Sequence, residues 1–361
     1  MPTNNTRYYL GFNLIPGVGP ARLARLIEEC GSLEAAWSAD ELAMAMAGLD
    51  KRTSAALCAG RQRINLDHEL ERVERAGVTL LSIDDPAYPH LLRNIPAAPP
   101  LIYVRGSIEF HNTWTVAVVG TRSPTSYGRE VAQRLSYDLA QNGITVVSGL
   151  ALGVDSIAHQ ATLDAEGRTL AVLGSGVDQP YPERNRDLAA RIVKHGALIS
   201  DYPLGTRPVA MNFPARNRLI SGLSLATLVI EAGERSGALI TVDFALEQGR
   251  DVFAVPGHIF SRQSIGTHRL IRDGASLATC AADILESLNL TVAAVQQEAR
   301  SELPTDPIEA KVLDLLTYEP QPIDEIGRAV AMQAGEVAAT LAVLELKGLV
   351  RQAGPMEYVR R

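Results

Sequence analysis

Apolar residues recur along this 361-residue chain in three successive rhythms. Over residues 1–76 they fall at helical spacing in the segments Ala21–Glu29, Ser32–Trp37, Asp40–Ala47 and Arg52–Ala76, broken by Gly31, Gly48 and Gly60. From Val78 the pattern shortens. Val78–Ser82 reads as a strand, and the Pro-rich stretch Pro86–Pro100 leads into another at Leu101–Val104. Between 114 and 288 short β-branched runs alternate with longer helical patterns. The runs Thr115–Val119, Thr145–Ser148, Thr169–Leu173, Ala197–Ser200, Ala226–Glu231 and Val252–Val255 predict strands. Gly128–Asn142, Val154–Ala165, Pro182–His195, Asn217–Leu223, Ile240–Gln248 and Ser264–Gly274 predict helices. Near-continuous apolar strands alternating with helices predict an α/β fold with a doubly wound, mostly parallel sheet.

Residues 289–307 lose periodicity, carry Pro304 and Pro307, and read as a linker. Beyond it, Ile308–Leu316, Ile323–Ala331 and Ala334–Gly348 predict three helices, and Leu349–Gln352 with Glu357–Val359 a hairpin. Three helices and a terminal hairpin are the pattern of a winged helix-turn-helix. The expected organisation is therefore an all-α domain over 1–76, a Rossmann-like domain over 77–288, a linker over 289–307 and a winged-helix domain over 308–361.

Composition narrows the function without naming it. A hydrophobic share of 46% and a charged share of 21% describe an ordinary globular protein. A net charge of −7 excludes a bulk polycation, so any nucleic-acid site has to be a local basic patch. Cys30, Cys58 and Cys280 stand far apart with no CxxC pairing, which argues against a disulfide framework or a zinc site. The N-terminal residues lack a basic segment followed by an apolar one, and no apolar run reaches the length of a membrane span. The expectation is a cytoplasmic protein with no membrane span and no metal or cofactor.

Candidate chemistry concentrates at Gly-punctuated strand ends. Gly120-Thr121-Arg122-Ser123 follows an apolar strand and precedes a helix, an arrangement that offers backbone amides and a guanidinium to a phosphate. The competing reading is a plain strand-to-helix turn, but ligands of such sheets bind at the carboxyl ends of central strands. Ser148-Gly149-Leu150-Ala151-Leu152-Gly153-Val154-Asp155 forms a second turn, with Ser148 expected to face the site and Gly149 to allow close packing. His159 follows, without a Ser or Cys nucleophile beside it, and reads as structural. Gly174-Ser175-Gly176 lacks the third glycine of a dinucleotide fingerprint, since Gln179 stands there, and no P-loop occurs. Arg184, after Tyr181-Pro182-Glu183, falls in the first turn of a helix near the mouth of the sheet.

Phe213-Pro214-Ala215-Arg216-Asn217-Arg218 is the least ordinary segment. A base can stack on Phe213 while Arg216 or Arg218 reaches the phosphates. Equally, an arginine–carboxylate network can tie this segment to Glu231 or Asp201, and the two arginines can divide these roles. Ser236-Gly237 adds an amide pocket after a buried strand. Weaker phosphate candidates are Gly17, Gly19 and Arg22 in Leu14–Leu23, which fits a helix-hairpin-helix, together with Arg207 and Arg262.

Taken in order, Tyr88-Pro89, Gly120-Thr121-Arg122, Ser148–Asp155, Tyr181-Pro182, Phe213–Arg218, Ser236-Gly237, Pro256-Gly257 and Gly274-Ala275 resemble the DNA-processing protein A (DprA/Smf) family over nearly the whole chain. The resemblance implies an extended Rossmann-like core with a SAM-like or helix-hairpin-helix N-terminal addition and a winged-helix C-terminal one. It implies a cytoplasmic, non-enzymatic protein that binds and protects single-stranded DNA, dimerises through its core and loads a RecA-type recombinase in natural transformation. By that analogy the DNA pocket holds Arg122, Arg184, Phe213 and Arg216 or Arg218. Relatives often carry a lysine shortly before the phenylalanine; Pro208–Met211 has none, and Arg207 is the candidate replacement.

The winged-helix segment is acidic, with Glu336 and Glu345 on its recognition helix, which suits a protein contact better than a DNA groove. The competing reading from another class is a nucleotide phosphoribohydrolase of the lysine-decarboxylase-like type. That family carries a Pro-Gly-Gly-x-Gly-Thr turn and a catalytic Glu, whereas Glu231–Thr241 has neither the Pro-Gly-Gly start nor the trailing acid.

Overall fold

The β-branched runs of the middle region do assemble into one sheet. The computed structural model describes residues 5–107, 114–289, 307–317, 321–330, 332–346, 349–354 and 356–360. Its strands are β1 (Thr79–Ser82), β2 (Leu101–Gly106), β3 (Thr115–Val119), β4 (Thr145–Ser148), β5 (Thr169–Val172), β6 (Gly196–Ser200), β7 (Ala226–Val229), β8 (Asp251–Ala254) and β9 (Ser276–Leu277). They lie in the order β1-β2-β6-β5-β4-β3-β7-β8-β9. From β6 to β9 every pairing is parallel, while β1–β2 and β2–β6 are antiparallel. Val116, Ala117 and Val118 of β3 are fully buried, as a strand covered by helices on both faces requires.

The order reverses at β3, which pairs with β4 on one side and β7 on the other. Strands diverging into crossovers on opposite sides leave a crevice at their carboxyl ends, and that crevice is where open α/β sheets take ligands. Its floor here is the pair of turns after β3 and β7.

The expected helices form with shifted edges. The segment expected as one helix over Arg52–Ala76 breaks into Lys51–Arg63 and Leu66–Arg75, because the Asn65 side chain accepts from the Asp67 and His68 amides and caps a new helix. The helix expected at Asn217 begins at Asn212, so Phe213 and Arg216 sit on its first turns instead of in a preceding loop. Thr6–Asn13 is a helix and Ser276–Leu277 a strand that periodicity does not mark, the latter being only two residues long.

Contacts divide the chain into Met1–Asp283 and Ile284–Arg361. Within the first, the helical segment shares a core with the sheet: Phe12, Leu26, Met44 and Leu57 belong to one buried cluster with Leu80, Leu101 and Tyr103. Polar contacts fix the same junction, with Tyr103 donating to Asn13 Oδ1 at 2.9 Å and Arg72 to the Leu204 carbonyl at 3.2 Å.

In the second unit, helices Pro307–Leu315, Ile323–Val330 and Ala334–Leu346 pack Val312, Ile326, Val337, Leu341 and Leu344 together with Val350. Strands β10 (Gln321–Pro322), β11 (Val350–Gly354) and β12 (Glu357–Arg360) form the wing in the order β10-β12-β11. The stretch expected as linker falls, from 290 to 306, outside the described residues.

Candidate nucleic-acid interface

A cleft of about 740 Å³ opens at the β3–β7 reversal. Gly120, Thr121, Arg122, Asp155, Tyr181, Phe213, Arg216, Asn217, Ser236 and Gly237 line it. The sequence candidates from four separate turns thus converge on one opening, because each turn leaves the same edge of the sheet.

Beneath the cleft the turns are locked. Arg216 is buried and its Nη1 donates to the Gly149 carbonyl at 2.8 Å and to the Val172 carbonyl, so it ties the ends of β4 and β5 together. Burial pulls its pKa down to about 10, against the opposing attraction of Asp155. Asp155 accepts from the Gly149 amide at 3.1 Å and the Ala151 amide at 3.3 Å. Burial raises its carboxyl above the usual range, with Arg216 and those amides opposing. Leu150 stands at φ 58, a left-handed conformation costing an L residue about 1–2 kcal/mol. Its carbonyl accepts from Asn185 Nδ2 at 2.8 Å, which holds the turn in place.

Gly153, at φ 85, is the close-approach point between the two turns: a Cβ there would stand 2.5 Å from the Thr121 carbonyl oxygen. The Val154 amide donates to that same oxygen at 3.2 Å. Glu231 anchors the far wall. Its carboxylate accepts from the Thr125 hydroxyl at 2.6 Å and the Thr125 amide at 2.9 Å, and Thr125 caps helix Ser126–Gln141.

Above this floor Arg122 is exposed, and among the described residues none of the ion pairs engages it. In the same cleft Phe213 and Tyr181 form a ring pair with centroids 5.7 Å apart and planes tilted 31°. Phe213 rests on Gly174, where a Cβ would come within 3.0 Å of the ring. Tyr181 is 49% exposed and forms the outer member.

Several expected positions differ from their predicted placement. Ser148 faces the sheet instead of the cleft: it is buried and its hydroxyl donates to the Val118 carbonyl at 2.6 Å. Gly149 gives the close packing expected of it, with the Arg216 guanidinium against its backbone, and is not among the residues lining the cleft. Arg218 turns away to Asp201 at 2.6 Å and to the Ala97 carbonyl at 2.8 Å. Of the two network partners considered, Asp201 is the one engaged, since Glu231 is committed to Thr125.

Arg184 is exposed on the turn Glu183–Asn185 and lies off the cleft lining. Ser123, Arg207 and Arg262 are exposed and likewise not among the lining residues. Asn217 Nδ2 donates to the Gly237 carbonyl at 3.4 Å, and the Ser236 hydroxyl accepts from the Ala238 amide at 3.3 Å. In the segment expected as a helix-hairpin-helix, Gly17 adopts φ 92 and Gly19 precedes helix Pro20–Cys30. Arg22 folds back onto the Gly17 carbonyl at 2.8 Å and Asp50 at 2.7 Å. Tyr181 and Asn185 are contributors that the sequence reading did not assign; their signal lay in the Tyr-Pro-x-x-Asn spacing next to Arg184.

A family model described as DNA recombination-mediator protein A matches residues 79–289, and one for the DprA winged helix domain matches 296–354. The chain belongs to the DNA-processing protein A family. Protein Smf of Synechocystis is 36% identical over the whole of both chains, and Protein Smf of Escherichia coli is 38% identical over 82% of this chain and 81% of its own. The X-ray structure of DNA processing protein A from Streptococcus pneumoniae superposes with a TM-score of 0.69 at 34% identity, covering 79% of this chain and 98% of that one. A Helicobacter pylori DNA processing protein A structure, described for its single-stranded DNA binding mode, matches with a TM-score of 0.54 at 28% identity over 59% of this chain and 96% of that one.

The DNA-processing protein A core match contains every residue lining the cleft. In the winged-helix unit the two recognition-helix acids serve the fold: Glu336 accepts from the Gln333 amide at 3.3 Å and Glu345 from the Gln352 amide at 3.2 Å. Among the described residues no helix is long and apolar enough to cross a membrane.

Proposed function

We propose that this chain binds single-stranded DNA without sequence preference across the β3–β7 crevice, protects it, and passes it to a RecA-type recombinase in transformation and recombination. The observation that carries this reading is that the exposed Arg122 and the Tyr181–Phe213 ring pair line one cleft. A guanidinium holds a phosphate and a ring face accepts any base, so the pair selects strand over sequence. Family membership supports the role, since the matching family is described as a recombination mediator. Hand-over to the recombinase, a homodimer through the core and a cytoplasmic setting belong to the same proposal.

The phosphoribohydrolase reading needs a carboxylate able to work on a ligand. Glu231 and Asp155, the acids buried at the cleft, are each held by amides or a hydroxyl of the fold. The reading proposed here is therefore a binding protein and not an enzyme. Its test is anisotropy of labelled oligo-dT against a matched duplex, with free-base release from AMP assayed on the same protein. Salt-sensitive preference for the single strand is expected; base release with equal, weak binding of both DNAs overturns it.

A further inference from the structure

We propose that the loop after β8, Pro256–Arg262, is a second base platform on the same DNA track, with Phe260 as its ring and Arg262 as its phosphate contact. This rests on the reading above. Phe260 is 84% exposed and Ile259 75% exposed, an apolar tip that solvent alone does not favour. The tip is ordered by its own hydrogen bonds. The Phe260 amide donates to His258 Nδ1 at 3.3 Å and the Ser261 amide to the His258 carbonyl at 2.9 Å. His258 and Phe260 rings lie 5.4 Å apart. Arg262 is exposed beside them.

Position gives the platform its ligand. β8 neighbours β7 in the parallel part of the sheet, so this loop leaves the same edge as the cleft, one strand further on. Gln263 Nε2 reaches the Ser123 carbonyl at 3.5 Å, Tyr127 donates to the Pro256 carbonyl at 2.6 Å, and the Ala232 amide donates to the Gln263 carbonyl at 2.8 Å. These contacts fix the loop against the turn that carries Arg122. From the end of β5, under Phe213, to the end of β8 is four strand spacings by sheet order, about 19 Å. At the 3.4 Å rise of a stacked strand that is about five or six nucleotides. A ring pair thus stands at each end of the track, Tyr181–Phe213 at one and His258–Phe260 with Arg262 at the other, with Arg122 between them.

The test is oligo-dT anisotropy with two lengths, about four and about twelve nucleotides, on wild type, Phe260→Ala, Phe260→Trp and Arg262→Ala. Phe260→Ala should leave the short oligomer within about twofold and weaken the long one about five- to a hundredfold, one stacked base. Phe260→Trp should retain the long-oligomer affinity, and Arg262→Ala should lower the salt slope for the long oligomer alone. Equal affinities of Phe260→Ala and wild type at both lengths overturn the proposal. If sedimentation shows that Phe260→Ala instead changes the assembly state with DNA affinity intact, the loop is a protein contact. Wild type that binds neither length overturns the functional reading itself, which separates the two failures.

Discussion

The Arg216 guanidinium lies against the backbone of Gly149: Nη1 donates to the Gly149 carbonyl at 2.8 Å, and a Cβ at Gly149 would stand 2.6 Å from Nη2. No side chain fits between them. Gly149→Ala should therefore displace the guanidinium and destabilise the core by about 1–3 kcal/mol. Thermal unfolding reads this directly. A melting temperature equal to wild type would mean that Arg216 is not locked in place.

His159 predicts an acid limit. Its ring is fully buried, Nδ1 pairs with Thr169 Oγ1 at 2.6 Å, and that hydroxyl donates to the Val146 carbonyl, so Nδ1 carries the proton. Burial, with the Arg216 charge adding to it, lowers the pKa from 6.5 to about 3. The native state thus binds fewer protons than the unfolded chain between these values. Stability is fully present above pH 6.5 and falls with acid, by up to about 1.4 kcal/mol per pH unit from this group. His159→Asn keeps a donor toward Thr169 and removes the titration. Urea midpoints between pH 7 and about 4 should fall less steeply for the variant; parallel curves would count against the buried neutral ring.

The two arginines of the Phe213 segment separate by experiment. Arg218 and Asp201 pair with side chains 18% and 17% exposed, so Arg218→Met leaves a largely buried carboxylate without its partner and should cost about 3–5 kcal/mol. Asp201→Asn in the same chain should recover part of it. DNA affinity and salt slope should stay unchanged wherever the variant is folded. A slope reduced by one phosphate would place Arg218 on the strand instead.

Base stacking gives a second separation. Phe213→Ala and Tyr181→Ala should each weaken oligo-dT by about 1–3 kcal/mol and leave an abasic oligomer of the same charge unaffected. Equal losses on both ligands would show that the rings shape the cleft without touching bases.

Much of this was legible in the sequence. The β-branched runs marked eight of the nine strands of the large sheet, because strands buried on both faces leave near-continuous apolar stretches. The Gly-punctuated turns at 120 and 149 marked the edge at which the cleft opens. What did not read through was direction. Arg216, Arg218 and Arg122 are alike in a sequence, yet two are drawn inward by carbonyls and Asp201, which lie far from them along the chain. Ser148 likewise meets Val118 across a strand pairing that no local pattern encodes. Tyr181 became a site residue only once sheet order brought its turn beside Phe213.

The central claim is that Arg122 holds the strand at the mouth of the crevice. The direct measurement is the salt dependence of oligo-dT affinity for wild type and Arg122→Ala. Weaker binding, with the slope of log affinity against log salt reduced by about 0.7, is the loss of one single-strand phosphate contact and is the predicted result. An unchanged affinity and slope would remove Arg122 from the interface and contradict the account.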